Sequence, residues 1–149
     1  MTGRHGQGRK PFVGVLKGLG IRSGAHGTTV AHDSHNMVIA GIDPADMLLV
    51  ARTLAAQGGG FALADAGRVV ATVALPLAGL MTPEPVEAVA PRVEAYNERA
   101  AALGILAGTR SPILSLAGIA LPVIPEVKIT DLGLVHVTSQ QLLPLFPAA

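Results

Sequence analysis

The sequence predicts a layered α/β or α+β domain, a mixed sheet of two or more hairpins with two main helices packed on one face. Three observations point there. Short β-prone runs come in pairs around turn residues, two longer runs keep a helical spacing, and the helical runs fall between the strand pairs. At 149 residues the chain is the size of one domain. A domain of that size buries about 70% of the surface its unfolded form exposes, so a genuine core is possible. No internal repeat or linker divides it, and residues 1–149 read as one unit with a flexible basic tail over 1–10.

Residues 11–24 are punctuated by Gly14, Gly18, Gly20 and Gly24, with Phe12, Val13, Val15, Leu16, Leu19 and Ile21 between them. This predicts a short strand and tight turns. The spacing of Gly18, Gly20 and Gly24 is one residue too long for a dinucleotide fingerprint, and no ribose-binding acid follows, so a nucleotide loop is rejected. The runs 28–31 and 37–40 are short and β-prone, and they hold the polar segment His32-Asp33-Ser34-His35-Asn36 between them. Asp43-Pro44-Ala45-Asp46 then opens a helix: Asp43 caps it, Pro44 takes the first helical position and Asp46 favours the dipole. Met47, Leu48, Ala51, Leu54 and Ala55 fall on one face, and Gly58 ends the helix.

The runs 61–64 and 69–75, joined at Asp65-Ala66-Gly67, predict a hairpin. Thr82-Pro83-Glu84 opens a second helix, in which Val86, Val89, Val93, Tyr96, Ala100 and Leu103 share a face before Gly104. Pro91 is expected to kink or split it. An apolar run covers 113–124, and the stretches 126–130 and 134–137 around Asp131-Leu132-Gly133 predict a second hairpin.

Half the residues are hydrophobic, only 14% are charged and 3% are aromatic. An average soluble domain is about 25% charged. Such a sparse charge set fits a surface partly covered by another domain or subunit, although an Ala-rich monomer has the same composition. The most apolar stretches, 69–81 and 113–124, fall short of the roughly 18 residues of a membrane span, and Pro76 and Pro122 interrupt them. No apolar run follows Arg4, Arg9 and Lys10 as a signal peptide requires, and a cytoplasmic location is expected. Without cysteine there is no disulfide or thiolate chemistry. No acid precedes Asp33, while Arg4, Arg9, Lys10, Lys17 and Arg22 all do. Near neutrality overall and the lack of interleaved aromatics argue against nucleic acid. The basic segment fits a solvated tail or a face that meets an acidic partner domain.

Chemistry concentrates at one place. Of five histidines, those at 26, 32 and 35 fall within ten positions, alongside Asp33. His32, Asp33 and His35 are candidate ligands for a divalent metal, which takes neutral nitrogen and hard oxygen donors. On an extended strand His32 and His35 would point to opposite faces, so one ion requires a backbone turn at Asp33 or Ser34. The alternative is a hydrogen-bonded polar turn at a domain boundary, and both stand at this point. Glu126 and Asp131 could serve as an acid/base pair, but a strand-end charge and a turn former are their commoner roles, with Lys128 between them able to neutralise both. The chain has no Gly-x-Ser-x-Gly elbow, Walker loop or His-Glu-x-x-His helix.

Three phrases carry a resemblance that spans nearly the whole chain. Val15-Leu16-Lys17-Gly18-Leu19-Gly20, running on through Ser23-Gly24-Ala25 to Thr29-Val30-Ala31-His32-Asp33-Ser34-His35-Asn36, resembles the opening of the C-terminal domain of the adenine deaminase family, in the amidohydrolase superfamily. Leu75-Pro76-Leu77-Ala78-Gly79-Leu80-Met81 resembles that domain's middle. Its end is matched from Ala120-Leu121-Pro122-Val123-Ile124-Pro125-Glu126 to Val127-Lys128-Ile129-Thr130-Asp131. The match begins as early as Arg4-His5-Gly6, and the chain departs from the family at His26 (usually aliphatic), Gly118 (often Phe, so packing there is expected to differ) and His136 (often an acid).

The resemblance implies a hydrolase that converts adenine and water to hypoxanthine and ammonia through a metal-activated hydroxide, with manganese or iron as the metal. In that family the metal ligands lie on a (β/α)8 barrel with a His-x-His pair after its first strand, and this chain has neither the pair nor the length. The resemblance therefore implies no catalytic residue in this chain alone. It places His32, Asp33, Ser34, His35 and Asn36 facing the active-site mouth, and the partner as a barrel domain or subunit, as in a split enzyme or a truncated gene product. Two further readings are a non-catalytic, self-associating module, and a metallohydrolase centred on His32, Asp33 and His35, which would need three ligands, an open position and a base.

Overall fold

The structure is a computed structural model that describes residues 1–3, 10–105 and 111–146. Arg4, His5 and Arg9, read above as part of a basic tail and of the family's opening, lie outside the described residues. Strands β1 (Ala25–Thr28), β2 (Val38–Gly41), β3 (Gly60–Asp65) and β4 (Arg68–Ala74) form an antiparallel sheet in the order β2-β1-β3-β4. Helix α1 (Pro44–Ala56) joins β2 to β3, and α2 (Val86–Ala102) follows β4. A smaller antiparallel sheet is built from β5 (Val127–Ile129), β6 (Leu134–His136) and β7 (Gln141–Leu143). The layered α+β architecture is as the sequence predicts, and there is no barrel among the described residues.

The helices, however, lie on opposite faces of the large sheet rather than sharing one. Residues of a strand alternate between faces, and here they also alternate in size. Ala62 and Ala64 of β3 pack with Ala25 of β1 and with Val50 and Leu54 of α1. Phe61 and Leu63, one residue out of phase, pack with Val73, Tyr96 and Ala100 on the α2 side. Gly27 of β1 lies beneath α1 so closely that a Cβ there would stand 2.5 Å from Val50 Cγ1. Gly41 is equally confined: its Cβ would meet that of Ala25 at 2.6 Å. Small residues thus let α1 sit close to the sheet, while the α2 face is filled by large side chains.

Local signals set the joints. Asp43 caps α1 by accepting from the Ala45 N–H at 2.8 Å, with Pro44 at the first turn as expected. Asp46 does more than favour the dipole: its carboxylate is buried and accepts from the Gly67 N–H at 2.8 Å, tying α1 to the β3–β4 turn. That turn uses Ala66 and Gly67, both at positive φ (51° and 74°), the combination a two-residue hairpin of right-handed twist demands. At the far end of α1, Gln57 Nε2 donates to the carbonyls of Gly59 and Phe61.

Four sequence expectations are corrected. Residues 11–24 form no strand; the stretch runs without sheet partners beside the smaller sheet. Helix α2 continues through Pro91, since burial of Tyr96 and Ala100 and packing of Val89 and Val93 against the core compensate the lost bond to Glu87. On α1 the sheet-facing residues are Asp46, Val50 and Leu54, whereas Leu48 and Ala55 are exposed. The second hairpin exists, but β7 extends it to three strands.

Two glycines make a test of this packing. Gly27→Ala should cost about 1–3 kcal/mol in denaturant unfolding, because its methyl group meets Val50 and Leu54 of α1 and Ile39 of β2. Gly118, whose Cβ would meet nothing within 4 Å, should tolerate Ala within about 0.5 kcal/mol. Equal costs at the two positions would contradict the close approach of α1.

Candidate functional site

The connection from β1 to β2 carries the polar segment. Thr28 ends β1 by accepting the Val30 N–H at 2.8 Å. Thr29 Oγ1 accepts from the Gly60 N–H at 2.7 Å and donates to the Gly79 carbonyl at 2.6 Å, fixing the base of the loop to β3 and to the 77–81 turn. Ala31 is fully buried and its carbonyl accepts the His35 N–H at 2.7 Å, closing a tight turn over residues 32–35. His35 adopts φ 50°, a left-handed conformation that a residue with a Cβ takes only at some energetic expense.

This turn brings together what an extended strand would have separated. The His32 and His35 rings lie with centroids 5.1 Å apart at 59°. His32, Asp33 and Ser34 are exposed, His35 is half-buried and Asn36 is buried. Among the described residues no group of three His, Asp or Glu side chains is placed to hold an ion. The loop therefore presents the His32 imidazole and the Asp33 carboxylate to solvent beside the half-buried His35 ring, without assembling a closed cage among the described residues.

Glu126 and Asp131 do not form an acid/base pair. Glu126 is exposed, and Asp131 lies in the β5–β6 turn, where Thr130 bonds to the Gly133 carbonyl at 2.9 Å through its hydroxyl. Lys128 reaches the Pro125 carbonyl at 3.5 Å rather than either acid. Among the described residues the ion pair is Arg92–Glu84, 2.6 Å apart on the exposed side of α2, and it lowers the Glu84 pKa chiefly through its hydrogen bond. His136 of β6 pairs with the Ser139 hydroxyl at 2.7 Å. Gly118 is exposed, and a Cβ there would meet nothing within 4 Å.

His26, counted in the histidine cluster and marked by the resemblance as a departure, is one of the most confined polar side chains near the loop. It stands on the α2 face of β1, fully buried. Its Nδ1 lies 2.6 Å from the Tyr96 hydroxyl, which donates to the Ala62 carbonyl at 3.0 Å. With the tyrosine proton so used, the ring donates from Nδ1, and Nε2 is left buried without a hydrogen-bond partner. Burial lowers the His26 pKa to about 4 and pushes that of Tyr96 well above its usual value. Sequence could not find this pair, because the partners lie 70 positions apart.

Comparison with known proteins shows the family. The family model described as "Adenine deaminase C-terminal domain" matches residues 1–141. The chain is similar to an adenine deaminase from Syntrophobacter fumaroxidans, 49% identical over 138 residues that make up 93% of this chain and 24% of the relative. A Bdellovibrio bacteriovorus adenine deaminase is 44% identical over 142 residues, 95% of this chain and 24% of the relative. One from Dehalococcoides mccartyi is 43% identical over 141 residues, again 95% and 24%. The chain spans about a quarter of the length of the curated relatives it matches.

The buried histidine sets a pH dependence. Its folded pKa lies below the unfolded value of 6.5, so the unfolded state binds more protons in between, and stability falls as pH drops from about 6.5 to about 4. The full loss is on the order of 3 kcal/mol, reached below about pH 4. His26→Val should flatten this part of the stability curve measured by urea unfolding. An unchanged slope in the variant would remove His26 as its cause.

Proposed function

Because the chain belongs to the family of adenine deaminase C-terminal domains, we propose that it serves as the accessory part of an adenine deaminase and turns over adenine only beside a metal-bearing barrel. The observation that carries this reading is the match over residues 1–141 together with 49% identity to the Syntrophobacter relative. The reaction is hydrolytic: adenine and water give hypoxanthine and ammonia, with water supplying the oxygen that replaces the exocyclic amine.

That chemistry needs an activated hydroxide, which in this family a manganese or iron ion supplies. The described residues do not fit the ion as its holders, since no three ligand side chains converge. No step of the reaction is therefore assigned to this chain. Its proposed share is the loop at the mouth of the barrel: His32, Asp33, Ser34, His35 and Asn36 supply polar contacts there, with His32, Asp33 and His35 as outer-shell or accessory-metal groups. The closed turn at Ala31 and His35 and the Thr29 tie support this, because outer-shell groups are useful only when held in place. A self-associating binding module is the second reading, favoured by exposed apolar residues such as Val13 and Val15. No helix among the described residues is long and apolar enough to cross a membrane, and we place the chain in the cytoplasm.

Incubated alone with adenine and manganese or iron, the chain should release no ammonia above buffer. Mixed with the preceding three quarters of the Syntrophobacter relative, it should yield ammonia and hypoxanthine in equal amounts. In that mixture His32→Ala or His35→Ala should lower kcat about 10–100-fold while circular dichroism stays unchanged. Turnover by the isolated chain, or none in the mixture, would overturn the reading.

A further inference from the structure

Along the free edge of the large sheet runs an apolar cavity of about 730 Å3. One wall is the 11–16 segment, with Phe12, Val13, Val15 and Leu16; the floor is β2, and α1 contributes Met47 and Leu48. Its apolar lining is not consumed by the fold. Val15 is 84% exposed, Val13 69% and Leu48 52%. Among the described lining residues the one charged side chain is Lys128. Helix α1 thus has two apolar faces, Val50 and Leu54 on the sheet and Met47 and Leu48 on the cavity. An apolar surface of this kind, with one cationic side chain and no acid among its described lining residues, is suited to being covered.

The occupant follows from how the chain enters. Thr2 pairs with Met37, its N–H donating to the Met37 carbonyl at 3.0 Å and its carbonyl accepting from Met37 at 3.1 Å, and the Met1 amino group donates to the Phe12 carbonyl at 2.7 Å. Met1 and Thr2 themselves line the cavity. In relatives four times as long, of which this is the C-terminal domain, the preceding polypeptide must arrive at this edge. Met37 also directly follows the polar loop, so whatever covers the cavity has residues 32–36 at its border.

We propose that this edge groove is the docking surface for the preceding, metal-bearing domain of the adenine deaminase, and that Lys128 in its lining, with Lys10 and Lys17 flanking the 11–16 wall in sequence, meets acidic side chains there. The inference rests on the reading under Proposed function and specifies its interface. Docking here turns the His32–His35 loop toward the seam between the two domains, and it accounts for a surface with so few charges.

Affinity of the chain for the separately produced preceding three quarters of the Syntrophobacter relative, measured by calorimetry, tests it. Val15→Asp and Leu48→Glu, both at exposed positions, should each weaken binding by tenfold or more at unchanged melting temperature. Val86→Asp, equally exposed but on α2 away from the groove, should bind like the unmodified chain. Raising salt from 50 to 500 mM should weaken binding of the unmodified chain severalfold. Binding by the unmodified chain with the groove variants unaffected overturns the location while sparing the functional reading; no binding by any form overturns both. Sedimentation that shows a dimer abolished by Val15→Asp, with barrel binding intact, assigns the groove to a second copy and also overturns the proposal.

Discussion

The alternation of small and large residues in β1 and β3 is the constraint from which the rest follows. Ala25, Gly27, Ala62 and Ala64 make a nearly flat floor, so α1 approaches until Val50 and Leu54 touch the strand backbone. The opposite face, with Phe61, Leu63 and Val73, has room for α2 and its tyrosine. A helix so close to the sheet has little freedom to rotate. That fixes which residues of α1 meet the sheet and which, Met47 and Leu48, are turned toward the free edge.

The polar groups inside this frame are few, and each ties elements together that are distant in sequence. Asp46 joins α1 to the β3–β4 turn, Thr29 joins the β1–β2 loop to β3 and the 77–81 turn, and Tyr96 joins α2 to β1 and β3. Buried hydrogen bonds of this sort specify one arrangement more than they stabilise it, because an unmade partner is costly. The His26 Nε2 is buried in the core without a hydrogen-bond partner. An aliphatic residue would meet no such penalty at this place, and the histidine makes the core sensitive to acid.

Sequence revealed most where the signal is local. The Asp43-Pro44 start of α1, the Ala66-Gly67 turn and the hairpin around Asp131-Leu132-Gly133 depend on residues next to one another, and all are found. It misled where tertiary contacts decide. Alternating Val13 and Val15 suggested a strand, yet that segment has no sheet partner and forms a cavity wall. Pro91 suggested a break, yet the packing of Tyr96 and Ala100 carries α2 through it. Strand β7 pairs with β6 while all three of its residues are exposed, so no burial pattern announced it. The histidine cluster was found by composition, but only folding shows that His32 and His35 converge while His26 turns into the core on the other side of Thr28.

What emerges is a rigid support with one polar loop beside one apolar groove, both at the same edge of the sheet. The loop offers one exposed and one half-buried imidazole, short, among the described residues, of the ligand set that a tightly held ion requires. On the proposed function the chain stands beside the ion rather than holding it. The most direct measurement is the manganese and iron content of the purified chain after equilibrium dialysis against micromolar metal. Well under one ion per chain is the predicted result, and one tightly held ion per chain, lost in His32→Ala and His35→Ala, would contradict it.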